Sequence, residues 1–387
     1  MIFLSIFYKH KKGGFNSRLY KLYLALANRN HIVHYIAVEE FPIKHPNIIT
    51  HILWVPCIQK ENFLFWFFFI LLTPFYCFWI AKKNSINRII TFSSFYAFVC
   101  SLAVILLRIK MVTFLRADII RESRYEKKPF YNLFLNYVFE RIGLKLSCLV
   151  VPNSKSLKQN ILNRNNNLNI TVLPNNIEHV HRINQTQKNT IRRGYGLTNN
   201  HFIIITAAPL NRVKNIGLLI RAFSKLESDN ARLIIIGEDL KYTGERDRLE
   251  RLSIELGVNA KTIFSGWHDK PWESIAASDL FVFPSLQEGS PNALLEALSC
   301  DIACMGSRIP EIREILVEDE LLFSVSSPEE LTQKIRRCIS DPSYAKKILE
   351  LSIQRKHDYQ FDWDSRGVDI VLGAGKSDLM GKTIGSW

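Results

Sequence analysis

Phe283-Pro284-Ser285-Leu286-Gln287-Glu288-Gly289-Ser290-Pro291-Asn292-Ala293-Leu294-Leu295-Glu296-Ala297 is the stretch on which the reading of this 387-residue chain turns. Leu280 to Phe283 is a short apolar run of buried-strand type, and the residues from Asn292 have helical spacing. The stretch therefore leaves the carboxyl edge of a sheet, where open α/β folds bind their ligands. Ser290 is a natural N-cap and Pro291 a natural first helical residue. On that placement the amides of Asn292, Ala293 and Leu294 are free donors at a helix N-terminus, an anion site suited to a diphosphate. Glu288 stands just before the helix and Glu296 about two turns inside it. One carboxylate can then face a hexose while the other bonds ribose hydroxyls. A surface helix with two solvated glutamates fits the spacing alone equally well.

Outward from this stretch, apolar runs alternate with helical patterns. In the second half, Phe202 to Thr206, Leu233 to Gly237, Thr262 to Phe264, Leu280 to Phe283 and Ile302 to Met305 read as strands. Gly217 to Leu226 and Asp247 to Leu256 read as helices between them, and Ser327-Pro328-Glu329-Glu330 as a capped helix start. The first half opens with strand Ile2 to Phe7, the glycines Gly13-Gly14, a helical pattern through Leu26, and strand Ile32 to Val38. Arg88 to Phe92, Met111 to Leu115, Cys148 to Pro152 and Thr171 to Pro174 read as further strands, with an apolar helix over Phe95 to Leu107. Such alternation predicts parallel sheets with helices on both faces. Asn175 to Asn200 is polar and irregular and marks the boundary. The domains expected are 1–178, 195–365 and a glycine-rich tail over 366–387.

Composition bounds the function. Apolar residues make up 47% and charged residues 22%, which excludes a disordered chain. The seven cysteines form no CxxC pair, so they read as reduced thiols of a cytoplasmic protein and offer no zinc spacing. Gly373-Ala374-Gly375-Lys376-Ser377 lacks the earlier glycine of an ATP-binding phosphate loop. The start, Met1 to Tyr8, precedes its positive charges and reads as a strand, not as a signal peptide. The net charge of +14 is uneven: residues 1–180 carry +15 and residues 181–387 carry −1. A basic half points to a polyanionic surface. Nucleic acid is set aside, because no recognition helix or RNA-binding motif accompanies the charge. Phe63 to Ala81 is nineteen residues without a charge, interrupted by Pro74. Three placements are open to it: a membrane span, an interfacial helix or a buried core helix.

Glu288-x7-Glu296 within Glu-Gly-Ser-Pro-Asn-Ala-Leu-Leu-Glu-Ala resembles the retaining glycosyltransferases of family 4, which have the GT-B fold of two Rossmann-like domains facing a central cleft. Upstream, Leu210-Asn211-Arg212-Val213-Lys214-Asn215-Ile216 is similar to that family's phosphate-binding loop. Leu233 to Glu238, Phe264-Ser265-Gly266 and Ala277 to Ser285 match further motifs, as do Gly13-Gly14, Val151-Pro152-Asn153-Ser154 and Leu173 to Ile177 more weakly. The likeness covers about residues 1–365.

The resemblance implies a hexosyl transfer from a nucleoside-diphosphate sugar to a lipid-linked or cell-surface glycan. It implies catalytic roles for Glu288, which contacts the transferred sugar, and Lys214, which neutralises the diphosphate. The donor-binding set is Gly14, Arg212, Gly289, Ser290, Asn292, Ala293, Leu294 and Glu296, with Glu296 on the ribose. No metal and no cofactor beyond the sugar nucleotide is implied. With the basic half, the expected location is the inner face of the cell membrane, bound peripherally. Two departures stand out. Ala208-Pro209 replaces the family's Gly-Arg, and Arg212 is a candidate to make good the missing arginine. Leu115, with Arg116 beside it, takes a place where many members carry His. The alternative is a non-catalytic GT-B protein that binds a nucleotide sugar as a partner subunit.

Overall fold

The computed structural model describes residues 1–9, 14–56, 62–125, 129–239 and 243–373. Unit 1 comprises Met1–Pro174 and the segment from Asp362, and unit 2 comprises Asn175–Phe361. In unit 1 the strands are β1 (Ile2–Ile6), β2 (Ile32–Ala37), β3 (Ile48–Ile52), β4 (Arg88–Phe92), β5 (Lys110–Leu115) and β6 (Leu149–Pro152). They pair in parallel in the order β3-β2-β1-β4-β5-β6. Unit 2 is built on β7 (Phe202–Ala207), β8 (Ala231–Ile236), β9 (Thr262–Gly266), β10 (Leu280–Phe283), β11 (Ala303–Ser307) and β12 (Leu322–Phe323). Its order is β12-β11-β10-β7-β8-β9, again all parallel.

The two orders are the same. In each unit the first strand is flanked by the second and the fourth, so the winding reverses between the first and fourth strands. The carboxyl ends at that reversal form the ligand crevice of a doubly wound sheet. The reason is visible in the strands themselves. Ile203-Ile204-Ile205 and Leu233 to Ile236 are unbroken apolar runs, buried on both sides, as a strand covered by helices on both faces must be.

In unit 1 the two helical layers differ. Helices Gly14–Asn28 and Trp363–Gly373 pack together on one face of the sheet. Right-handed crossovers put the β3–β4, β4–β5 and β5–β6 connections on the other face. These are Phe63–Lys83, then Ser94–Val99 with Ser101–Leu107, then Phe130–Leu146, each packed on its neighbour.

Several sequence expectations change. Residues 366–373 are not tail. They belong to helix Trp363–Gly373, whose Trp363 is fully buried and whose Gly367 lies so close to Leu22 that a Cβ would meet it at 3.1 Å. Arg88 donates to the Val371 carbonyl in the same contact. The segment from Asp362 therefore belongs with unit 1, away from the 195–365 domain expected. Residues 374–387 lie outside the described residues. Asn175 to Asn200 is not wholly irregular, because Asn184 and Gln187 form a capping box for helix Gln185–Gly194. Thr171 to Pro174 is not a strand of the sheet, although the Thr171 and Leu173 amides donate to Val150 and Pro152 at 3.1 and 3.0 Å. β3, Ile48–Ile52, was not expected; it is an edge strand with no fully buried residue.

Phe63 to Ala81 forms one helix, extended to Lys83. Phe65, Phe69, Thr73, Cys77 and Ile80 recur at helical spacing and bury one side of it against Leu4, Ile6, Ile36, Ile89 and their neighbours. The helix thus lies along the sheet, with one side in the core and the other side outward.

Candidate functional site

The site is assembled at the reversal between β7 and β10. After β7 the chain runs through Ala208-Pro209-Leu210-Asn211 into a single 3₁₀ turn, Arg212–Lys214, and then helix Ile216–Ser224. The Asn211 carboxamide caps the turn by accepting from the Lys214 amide at 3.2 Å. Asn215, left-handed at φ 51°, swings the chain into the helix, a conformation asparagine tolerates better than most residues. The Ala208 and Leu210 amides donate to the Ile236 and Glu238 carbonyls at 3.0 and 2.9 Å. Position 209 falls between these two donors, so proline is accommodated there without losing either bond. Gly237, at φ 142°, makes the approach possible: a Cβ on it would stand 1.9 Å from the Ala208 carbonyl oxygen.

After β10, Pro284 and Ser285 are buried, and Ser307 at the end of β11 donates to the Ser285 carbonyl. The Leu286 amide donates to the Val213 carbonyl at 2.8 Å. That one backbone bond joins the loop after β10 to the turn after β7. It sets Lys214 Nζ 2.5 Å from Glu288 Oε1. Both side chains are largely buried, at 18% and 9% exposure, so neither charge is well solvated except by the other. The Lys214 ammonium also stands 5.6 Å from the Phe283 ring centre. Sequence reasoning placed each residue near a ligand; it did not foresee that they pair with one another.

The following helix is Asn292–Ser299, with Pro291 at the cap position and no side-chain cap bond. Ser290 is therefore not the N-cap, and Pro291 is not the first helical residue. The shift has a consequence, because the Leu294 amide donates to the Pro291 carbonyl at 3.1 Å and is not free. Among the described residues the Asn292 and Ala293 amides have no protein acceptor, so two of the three expected donors remain. Gly289 and Ser290, both partly exposed, complete the loop between Glu288 and the helix. Asn292 is held in turn by Asn175, whose carboxamide donates to Asn292 Oδ1.

Glu296 sits on this helix, partly buried. Burial raises its pKa, and among the described residues its carboxylate has no cationic or hydrogen-bonding partner. An acceptor with nothing to accept from is suited to a diol. Arg212 is exposed in the turn, and its guanidinium makes no ion pair among the described residues. Gly14 opens helix Gly14–Asn28 past β1 in unit 1, while residues 10–13 lie outside the described residues. Asn175 and Gly237 had no site role in the sequence analysis although both lie inside quoted motifs, and the Val213–Leu286 backbone bond carried no signal there at all. Among the described residues no three His, Cys, Asp or Glu side chains are grouped to hold a metal ion.

Two doubly wound parallel sheets, with a buried lysine–glutamate pair at the reversal point of the second, define a GT-B protein. Residues 187–355, within unit 2, match the family described as Glycosyl transferases group 1. It is similar to a Campylobacter jejuni enzyme named N-acetylgalactosamine-N,N'-diacetylbacillosaminyl-diphospho-undecaprenol 4-alpha-N-acetylgalactosaminyltransferase, with 26% identity over 57% of this chain. That match spans 59% of the relative's length, less than two thirds. The fold is also that of Anabaena Alr3699/HepE crystallised with UDP and glucose (TM-score 0.75, 19% identity, 96% and 98% of the two chains). A glycosyltransferase from Rickettsia africae superposes similarly (TM-score 0.77, 19% identity, 97% and 99%).

Proposed function

We propose that the chain is a retaining glycosyltransferase that moves a hexose from a nucleoside-diphosphate sugar to a lipid-linked or cell-surface glycan. The observation that carries this reading is the Lys214–Glu288 pair at 2.5 Å, beside the free Asn292 and Ala293 amides, at the crevice between β7 and β10. A donor diphosphate placed against those amides meets two N–H groups, a helix N-terminus and an ammonium. Lys214 is shared between Glu288 and the phosphate, so its charge both orients the carboxylate and offsets the leaving group. Glu288 then faces the hexose. Glu296, about one turn into the helix and not the two expected, accepts from the ribose hydroxyls.

The reaction breaks the bond from the anomeric carbon to the diphosphate oxygen and forms one from the same carbon to an acceptor hydroxyl oxygen. The acceptor hydroxyl attacks on the face the diphosphate leaves and passes its proton to the departing diphosphate oxygen, so that the nucleoside diphosphate leaves protonated. Fixed donors aimed at the departing diphosphate are the kind of preorganised electrostatics that lowers such a barrier. Lys214 and the amides carry the phosphate charge in this reading. Support for the donor class comes from the Anabaena structure, which holds UDP and glucose. Support for the acceptor class comes from the Campylobacter jejuni relative, whose name places its acceptor on diphospho-undecaprenol.

The test is thermal stabilisation of the purified chain by UDP, GDP, ADP and dTDP, then transfer of labelled sugar from the corresponding donor to a diphospho-lipid glycan. Binding to the folded state alone raises stability. Glu288→Ala is expected to abolish transfer while circular dichroism stays that of the folded protein. Near-normal turnover by that variant overturns the assignment.

A further inference from the structure

A helix that covers a sheet in a water-soluble unit turns a polar side outward. The β3–β4 helix of unit 1 does not. Leu64, Phe67, Leu71, Phe75 and Trp79 follow one another at three- and four-residue spacing along its outer side, all exposed. The adjoining helix Ser101–Leu107 exposes Ile105 and Leu106, at 57% and 58%. Helix Phe130–Leu146, next in the layer, exposes Tyr131, Phe134, Leu135 and Ile142 along its own outer stripe. The outward sides of these three helices of unit 1 are therefore predominantly apolar, more than the scattered apolar residues normal on a soluble surface.

Charge says what covers it. Lys82, Lys83, Arg108, Arg141 and Lys145 are the exposed ionic residues of these three helices and the cap that follows the second. All are cations, and none has an acidic partner among the described residues. The one acidic residue there, Glu140, is buried and paired with Arg164 at 2.8 Å. Lys82–Lys83, Arg108 and Lys145 occupy the C-terminal ends of the three helices, in a row along the amino edge of the sheet. Lys83 also caps the Trp79 ring at 4.9 Å. The aromatic ends of the first and third helices, Phe63 and Phe130 at 81% exposure each, lie at the opposite, carboxyl edge, where Trp54 is exposed past β3.

We propose that this layer is a docking face for an anionic lipid bilayer. It inserts most deeply at the helix N-termini, and the basic row marks the headgroup level. The first helix lies tilted against the membrane surface and does not cross it, because its inner side is already in the core. The carboxyl edge of the sheet is the ligand edge of a doubly wound unit. Tilting that edge toward the bilayer brings it within about one helix diameter, 10–12 Å, of the membrane surface. An acceptor that stays anchored in lipid by a diphosphate fits that geometry better than a free sugar. This last step rests on the transferase reading; the docking itself does not.

The experiment is flotation of the full chain with phosphatidylglycerol–phosphatidylcholine vesicles and with phosphatidylcholine alone, at low and high salt, with light scattering on the lipid-free protein. Strong, partly salt-resistant flotation with the anionic vesicles is expected, since the apolar contribution survives screening. Phe67→Asp with Phe134→Asp should lower partitioning on the order of a hundredfold. Ile142→Asp, nearer the basic row, should lower it by about tenfold or less. Lys82→Glu with Lys83→Glu should remove the preference for anionic lipid, each lysine having contributed on the order of fivefold. These sites are exposed, so melting temperatures should hold. No flotation at low salt overturns the proposal. So does flotation unaffected by the double aspartate variant, or a dimer that the same substitutions split without any vesicle binding. Nucleotide-induced stabilisation separates the two readings: present without flotation, docking fails and the transferase stands; absent with flotation, the reverse.

Discussion

At the carboxyl ends of β7 and β10 in unit 2, two loops are bonded to each other through Val213 and Leu286, and a lysine and a glutamate meet there at 2.5 Å. In unit 1 a charged cluster lies past β5: Arg164 bonds both Asp118 and Glu140, the latter in helix Phe130–Leu146. The helical coats differ as well. In unit 2, helix Gln185–Gly194 is polar almost throughout, whereas helix Phe63–Lys83 of unit 1 is apolar on its inner and outer sides alike. Strand order is the same in both units, so topology did not produce these differences. Loops after the strands and the outward sides of helices did, which is why one fold hosts unlike functions.

If the ionic cluster of unit 1 is structural and the pair of unit 2 serves transfer, substitutions at the two should have opposite signatures. Arg164→Ala leaves Asp118 and Glu140, both under 10% exposed, without their cation. Unit 1 should lose roughly 3–5 kcal/mol of stability, read as an early transition in calorimetry, while nucleotide stabilisation of unit 2 persists. Unchanged melting would mean that the cluster is not structural.

Lys214→Ala should act the other way. Turnover should fall on the order of 10²–10³-fold, in keeping with the loss of one preorganised charge donor. A Lys214→Ala chain that turns over normally would falsify the shared role of its ammonium. Next in size is Arg212, whose exposed guanidinium is available to a diphosphate. Arg212→Ala should weaken nucleotide binding by about tenfold to a hundredfold, as loss of a charge-assisted bond does. Pro209→Arg, at a site whose neighbours Ala208 and Leu210 already make the backbone bonds, should restore part of that loss in the Arg212→Ala background. If Arg212→Ala changes neither affinity nor turnover, Arg212 does not replace the missing arginine.

Smaller still is the effect of Glu296 on stability. Burial raises its pKa. The folded state therefore favours the neutral carboxyl, whose stabilising contribution is complete below the ordinary carboxylate range and is lost as pH rises through the raised value. Glu296→Gln should thus increase the melting temperature slightly at neutral pH, with the gain shrinking toward zero in acid, even as nucleotide affinity falls. A variant equally destabilised at every pH would show that the carboxylate is not buried unpaired. Last, excess EDTA should leave transfer unchanged; activity lost to chelator and restored by magnesium or manganese would assign the phosphate charge to a metal.

Much of unit 2 was legible because its signals are local. Unbroken runs such as Ile203-Ile204-Ile205 need covering on both faces wherever they sit. Ser327 before Pro328 caps its helix as expected, accepting from the Glu330 amide at 3.1 Å. The stretch from Phe283 to Ala297 marks a strand end, a loop and a helix from its own residues. What sequence could not supply was the choice among partners distant in the chain. Ser290 has the chemistry of an N-cap, yet the Leu294 amide turns to the Pro291 carbonyl instead. Lys214 has the chemistry of a phosphate ligand, and in the fold it lies against Glu288, 74 residues on. The uncharged run from Phe63 left three placements open, because composition does not say which side of a helix meets a sheet. Packing on Leu4, Ile36 and Ile89 took one side into the core and left the other outward. Trp363 likewise had to find a buried place in unit 1 before residues 366–373 became a helix of that unit. Local pattern specifies what each segment can form; burial of the whole specifies which of its faces and charges are satisfied by the rest of the chain, and which are left over for a ligand or a surface.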